Sequence, residues 1–461
     1  MSHEPLKSTL RIVNPQIENL TRQELLALQE RRLVAQVRRA YERIPFYRRL
    51  WPKEAATLSS MAQFREVIPF QSKQDLLVAQ DQMMVERVAS PGSQVVSVHM
   101  TSGTTGLGQE SHPLTRLDVE AMGSTWMYQA HWAGLQLGDV ICYTFAVGMQ
   151  TGGLSSFPMA DRMASRFHQT GPYPSEKKAD YLLQYQPHAF IISPAYLTRM
   201  QAIFEERKLD PRVVMPQLKC IFIAGESYTI EWAQRSMAFW GVNISEWYGL
   251  MQGGLNQCFS CETGILDQGE RGHLHAMEHR MLCEILRPGT NDPVEPGEEG
   301  EMVATSLFRE AFPIFRFRTG DRVRRMSSPC RCGRPMMSIQ AGTIARYDDM
   351  MKIRGQNLWP DAVDKLVFEN AAVEEYAGLV FIDPQGRETA RLSLEFRPSS
   401  GLDAEQRKRH LSALADEIQG KLNVRLDIRE ADYLSLPRFE FKTRRWTDER
   451  RAGRSFVKYT A

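Results

Sequence analysis

Gly138-Asp139-Val140-Ile141-Cys142-Tyr143-Thr144-Phe145-Ala146-Val147 begins with a turn-forming pair and continues as an uncharged, mostly apolar run. A short apolar run bounded by turn residues reads as a strand buried on both faces. Ala189–Ser193 and Cys220–Ala224 repeat the pattern, and amphipathic segments at 175–186 and 196–207 fall between the runs. Strands alternating with helices predict a largely parallel α/β sheet. Ligands of such sheets sit in the loops beyond the carboxyl ends of the strands. Gly225-Glu226 and Tyr248-Gly249 each follow a strand-like run and so fall where a ligand would lie.

Towards the N-terminus, residues 22–43 are rich in Leu, Arg, Gln and Glu. Leu26, Leu33, Val37 and Tyr41 recur near helical spacing, and Pro45 ends the helix. A second unit begins near residue 348. Residues 378–382 and 390–396 read as strands around Asp383-Pro384-Gln385-Gly386. Asp403 and Gln406 form a capping box for a helix carrying Leu411, Leu414, Ile418 and Leu422, and Val424, Leu426 and Ile428 alternate as a third strand. The expected organisation is a large N-terminal α/β domain, residues 1–347, with mostly parallel sheets flanked by helices. A small, mobile α+β domain follows at 348–461.

At 461 residues the chain exceeds what one core usually supports. Lys+Arg total 57 against 55 Asp+Glu, and the absence of a long basic block argues against nucleic acid as a partner. The first residues lack an apolar signal core and no apolar run is long enough to span a bilayer, so a cytoplasmic location without a membrane partner is expected. Seven cysteines in so long a chain agree with a reducing compartment.

The richest motif is Thr101-Ser102-Gly103-Thr104-Thr105-Gly106-Leu107-Gly108, with three glycines and four hydroxyls in eight residues. Bare backbone N–H groups and hydroxyls suit a polyphosphate. Gly103 and Gly108 have Walker A spacing, but Gln109 and Glu110 stand where that motif needs Lys and Ser/Thr, so that reading fails. Four more segments follow: Tyr248-Gly249-Leu250-Met251-Gln252; Phe317-Arg318-Thr319-Gly320-Asp321; Arg346-Tyr347-Asp348-Asp349 running on to Lys352–Pro360; and Pro437-Arg438-Phe439-Glu440-Phe441-Lys442. In order and content the set resembles the core motifs of the acyl-adenylate-forming (AMP-binding) superfamily. Ala40–Tyr47 and Cys330-Arg331-Cys332-Gly333-Arg334 narrow the resemblance to its phenylacetate–coenzyme A ligase-like members.

The resemblance implies a ligase that joins a carboxylic acid, expected to be aromatic, to ATP as an acyl-adenylate and passes the acyl group to coenzyme A. An amine or a carrier-protein thiol as acceptor, and a non-catalytic nucleotide-binding homologue, stay open. By the same resemblance Ser102, Gly103, Thr104, Thr105 and Gly106 hold phosphates. Tyr248 stacks on adenine beside Gly225, Glu226 and Gly249, while Asp321 and Arg346 meet the ribose. Lys442 bridges the attacking carboxylate and the α-phosphate, a task that suits a compact charge on a flexible stem. Asp348 is the expected hinge, with Lys352, Arg354 and Gly355 lining a thiol tunnel after rotation. The acid pocket is expected near Tyr143, Phe145, Met149, Gly152 and Ala224.

Two positions depart from the pattern. Gln252 replaces a glutamate that helps hold Mg²⁺, with Glu226 or a water-linked group as an alternative source of compensation, and Leu107 replaces a lysine of the phosphate loop. Cys258-x-x-Cys261 and Cys330-x-Cys332, with His273, His275 and His279 between them, carry donors suited to closed tetrahedral zinc. The preferred set is Cys261, His275, Cys330 and Cys332, with Cys258 or His273 as substitutes, in line with structural zinc in some members of the resembled family. The expected cofactors are ATP, Mg²⁺, coenzyme A and structural Zn²⁺. A homodimer is left open.

Overall fold

The computed structural model describes residues 10–78, 94–100, 110–145, 147, 154–347, 350–354, 356–383, 386–437 and 445–451. The chain divides into two compact units, one of residues 1–225 with 236–344, the other of 226–235 with 345–461.

In the first unit the buried runs form β3 (Ile141–Tyr143), β5 (Ala189–Ile192) and β6 (Cys220–Ile223); β1 (Val95–Met100) and β2 (Ser111–Thr115) make a separate antiparallel pair, and β4 is Phe167–Gln169. With β7 (Asn243–Leu250) these strands run parallel in the order β4-β3-β5-β6-β7. The sheet then turns antiparallel through β8 (Leu255–Ser260). After the short ribbon of β9 (Leu266–Asp267) and β10 (Glu270–Arg271), it continues into β11 (His273–Ala276) and ends at β15 (Ser338–Gln340). β12 (Met281–Leu286), β13 (Glu299–Ser306) and β14 (Phe317–Arg324) are antiparallel neighbours in a second sheet. Helices Ser175–Tyr185 and Pro194–Glu206 fill the two amphipathic segments.

The early helix spans Arg22–Arg43, opened by a Thr21/Glu24 capping box. Pro45 opens the next helix, Pro45–Leu50, where its fixed φ is an asset. The buried stripe keeps the expected Leu33 and Val37 and differs at its edges, where Leu26 and Tyr41 are not buried. Leu25, Leu33, Val37 and Ala40 are inside, whereas Leu26 is 44% exposed. Gln29 and Gln36 complete the inward face. Their amides bond the Glu278 and Arg309 carbonyls at 3.2 and 2.5 Å, so polar residues that apolar periodicity passes over define this face.

In the second unit, β16 (Ala345–Arg346), β17 (Met351–Ile353) and β18 (Gln356–Leu358) precede helix Pro360–Phe368. β19 (Val373–Ile382) pairs antiparallel with β20 (Glu388–Phe396), and β21 (Asp427–Glu430) and β22 (Trp446–Asp448) flank them in parallel. Helix Ala404–Leu422 carries the expected Asp403/Gln406 capping box. Its Leu411, Leu414, Ile418 and Leu422 pack on the sheet's core. Gly378 admits the Trp446 ring: a Cβ there would lie 2.3 Å from an indole carbon. Among the described residues no helix is long and apolar enough to cross a membrane.

Candidate nucleotide site and metal cluster

Because β3, β5, β6 and β7 are parallel, their carboxyl ends share one edge of the sheet. Tyr143 closes β3 and Phe145 follows it, their rings in edge contact at 5.5 Å. Ala224 and Gly225 follow β6. Gly225 has φ +90°, a region L side chains rarely adopt, and a Cβ there would meet nothing within 4 Å. Tyr248 and Gly249 lie among the last residues of β7, which ends at Leu250, with Met251–Gly253 as a short 3₁₀ turn beyond. Tyr143 and Phe145 also belong to the buried core cluster, with Ala224 packed against it. They therefore form a wall continuous with the core.

Tyr248 Oη donates to Asp321 Oδ2 at 2.7 Å, tying β7 to β14. Burial, then the neighbouring Asp321 charge, pushes the phenol pKa well above its usual value, so Tyr248 stays a donor. The Asp321 amide bonds Thr319 Oγ1 at 2.9 Å, and that hydroxyl donates to the Met302 carbonyl at 2.7 Å, so strand β14 presents its carboxylate rigidly.

At the next turn, Gln252 Nε2 donates to Glu110 Oε2 at 2.7 Å. His112 Nε2 is 3.0 Å from the same oxygen, and Lys73 Nζ lies 3.5 Å from Oε1. Glu110 is 1% exposed. Burial alone would raise its pKa, but the His112 hydrogen bond and charge, Gln252 and Lys73 outweigh that and hold it below the usual carboxylate value. The buried Arg309 guanidinium donates to the Gln252 carbonyl and, at 3.2 Å, to the Pro113 carbonyl. Helix Arg22–Arg43 holds Arg309 in turn, since Gln36 and Arg39 both donate to its carbonyl.

Cys261, His275, Cys330 and Cys332 come together as a group able to hold a metal ion, with ligand atoms all within 4.8 Å of one another and all four residues buried. Cys261 Sγ is 3.6 Å from Cys330 Sγ, and Cys332 Sγ is 3.4 Å from His275 Nε2. Burial disfavours a charged His275 ring, but Cys332 and Cys261 outweigh it and raise its pKa to about 10. The substitutes point elsewhere: His273 Nδ1 meets Ser338 Oγ at 2.8 Å, and Cys258 neighbours Cys283. Arg334 braces the Cys330–Cys332 turn. It bonds Glu262 through two nitrogens at 2.6 and 2.7 Å, Glu18 at 3.0 Å, and the Arg11 carbonyl at 2.8 Å.

Residues 355–450 match the AMP-binding enzyme C-terminal domain. Over 414 residues the chain is 28% identical to phenylacetate–coenzyme A ligase of Aromatoleum evansii, covering 87% of this chain and 88% of that one. The Escherichia coli K12 phenylacetate–coenzyme A ligase is 27% identical across 94% of this chain and 97% of its own. Along most of its length the chain is thus similar to phenylacetate–coenzyme A ligases. The fold agrees with that of a solved 2-hydroxyisobutyryl-CoA ligase in the postadenylation state, in complex with R3-HIB-AMP. The TM-score is 0.83 at 23% identity, covering 95% of this chain and 92% of that one.

Tyr143, Phe145, Ala224, Gly225, Tyr248, Gly249, Gln252 and Asp321 all lie in the first unit. Glu226, Arg346 and Arg354 lie in the second. Arg354 has φ +48° and is anchored on β20, its amide on Glu388 Oε2 and its Nε on the Glu388 carbonyl, both at 2.7 Å. Ser102, Gly103, Thr104, Thr105, Gly106, Met149, Gly152, Asp348, Gly355 and Lys442 lie outside the described residues, as does the Lys352 side chain. Sequence motifs give no role to Glu110, Arg309 or Arg334. An acidic residue closing a glycine- and hydroxyl-rich loop is a signal for Glu110. Nothing local marks Arg309.

Proposed function

We propose that the protein is an AMP-forming ligase that activates an organic acid, aromatic by its relatives' names, with ATP and passes the acyl group to coenzyme A. One observation carries the reading: the segments 143–145, 224–225 and 248–252 meet at one sheet edge, with Asp321 bonded to Tyr248 there. An acid and ATP repel each other as anions, so the site must offer donors and cations where charge develops. In this proposal the 102–106 loop holds the phosphates, Tyr248 with Gly225, Glu226 and Gly249 cradles adenine, Asp321 and Arg346 meet the ribose, and Lys442 bridges carboxylate and α-phosphate. Bound Mg²⁺ would neutralise phosphate charge. The division at 347/348, with Asp348 as hinge and Lys352, Arg354 and Gly355 serving the thiol step, belongs to the same proposal, as does a cytoplasmic location.

The test is a pyrophosphate-release screen over aryl, arylacetic and aliphatic acids, with free coenzyme A thiol followed in parallel. Acid-dependent pyrophosphate release with saturable thiol loss is expected. Release without thiol loss would shift the acceptor to an amine or carrier protein. ATP binding with no release for any acid would overturn the enzymatic reading.

We also propose that the four-residue cluster holds zinc. With Zn–S of about 2.3 Å and Zn–N of about 2.0 Å, a tetrahedron has ligand–ligand edges of about 3.5–3.8 Å. The 3.6 and 3.4 Å separations here are close to those edges. All four positions come from protein side chains, so the ion would pin two loops and leave no open site for catalysis. Purified protein is expected to carry one zinc per chain by elemental analysis. Cys332→Ser should lose that metal and lower the melting temperature by several degrees, the order of effect of losing a few kcal/mol. A full complement of zinc in Cys332→Ser would exclude this ligand set.

A further inference from the structure

Arg280 is a cation without a counter-charge. It stands just before β12, and its Nη2 donates to Ser124 Oγ at 2.8 Å, while its Nε is buried and has no hydrogen-bond partner. Among the described residues no carboxylate forms an ion pair with it. Its charged neighbours are cations. Burial first, and then Arg32 and Arg162, depress its pKa, with Tyr128 opposing them. A charge withdrawn from water without an opposite charge beside it is costly.

A cavity adjoins the guanidinium, lined by Thr125, Gly253, Gly254, Arg280, Met281 and Phe308. Phe308 is 48% exposed, and its ring centroid lies 5.2 Å from the guanidinium carbon. Next to Gly253 stands Gln257, 1% exposed, with both amide atoms buried and without partners. A Cβ at position 253 would lie 2.2 Å from Gln257 Nε2. The acid in the cavity wall, Asp118, already accepts from the amides of Thr115, Glu310 and Ala311, at 3.0, 2.6 and 3.0 Å. Two unmatched donors beside apolar Met281 and Phe308 suit an anionic oxygen carried on an apolar body.

We propose that this cavity is an anion subsite, in which the Arg280 guanidinium takes a carboxylate or phosphate group of a small molecule. The planar fork of an arginine matches both groups. Gly253 and Gly254 directly follow Gln252, and Arg309, which also lines the cavity, donates to the Gln252 carbonyl. The same chemistry has two sources: the far carboxylate of an acid substrate, or a separate anion. Only the first source rests on the adenylation reading.

The test titrates inorganic phosphate into the protein by calorimetry, with excess α,β-methylene-ATP present to fill any nucleotide phosphate site. Wild type is expected to bind phosphate saturably at a single site. Arg280→Met should bind it about tenfold or more weakly, the scale of losing a hydrogen bond to a charged group. Equal binding by both proteins, or none by wild type, overturns the proposal. A second arm compares phenylacetate with 4-carboxyphenylacetate in pyrophosphate release. A KM raised in Arg280→Met for the diacid alone assigns the subsite to the far carboxylate of the substrate. Unchanged KM for both acids, with phosphate binding weakened, assigns it to a separate anion. An equal rise for both acids marks a general lesion and overturns the proposal. Should Arg280→Met fail to fold, wild-type crystals soaked in selenate replace it: an anomalous selenium peak beside the guanidinium is expected, and its absence there overturns the assignment. A wild-type protein that releases no pyrophosphate with any acid sinks the adenylation reading, while the phosphate titration still decides the subsite.

Discussion

Lys442→Ala is expected to slow acyl-adenylate formation by about 10²–10³-fold, the scale of losing one electrostatic donor aimed at developing charge. Thioester formation from a supplied acyl-adenylate should be largely spared, because the proposed role ends once pyrophosphate has left. The check measures the two half-reactions separately: pyrophosphate release without thiol, and thiol consumption from synthetic acyl-adenylate without ATP. Equal loss in both would assign Lys442 to folding or to general nucleotide binding. A lysine in this role contributes chiefly by position, so Lys442→Arg should not rescue the rate: the planar guanidinium is wider and less compact than an ammonium.

Arg334→Met should cost about 3–5 kcal/mol of unfolding free energy, since it strands two buried carboxylates. Glu18 and Glu262 have side chains 0% and 5% exposed and face the same guanidinium. The aromatic wall around the pair excludes water further: the guanidinium lies 4.2 Å from the Trp132 ring centroid, and Trp132 Nε1 bonds Glu18 at 2.9 Å. The measurement is urea unfolding of the first unit followed by tryptophan emission. Replacing both carboxylates by glutamine in the Arg334→Met background should return a large part of the loss, because the uncompensated charge is then gone. A loss below about 1 kcal/mol would place the arginine among ordinary surface pairs.

Much of this architecture could be read from local pattern. The strands at 141–143, 189–192 and 220–223, the helices between them, and the capping box at Asp403 each follow from residues adjacent in sequence. The convergence of Cys261, His275, Cys330 and Cys332 was also legible, since close-spaced cysteines and an alternating histidine run bring their own geometry. The edges of the first long helix's stripe were not, although its Leu33 and Val37 were. Its inward face includes Gln29 and Gln36, whose partners are carbonyls of residues 278 and 309, so apolar spacing alone selects Leu26 in place of Leu25. Glu110 escaped for a related reason. Its meaning depends on Gln252, 142 residues away, and on Lys73 from a third segment. Buried polar pairing is set by tertiary approach, which sequence periodicity does not encode.

The N-terminal stretch has a consequence for the order of assembly during synthesis. Gln29, Gln36, Arg39 and Arg334 make bonds separated by 249, 273, 271 and 323 residues. Helix Arg22–Arg43 therefore meets the carbonyls it serves only after a further 249 to 273 residues have emerged. Contacts this remote slow folding, since chain closure must precede their reward. That helix thus waits for distant partners, and until they arrive its apolar stripe is left for chaperones to shield.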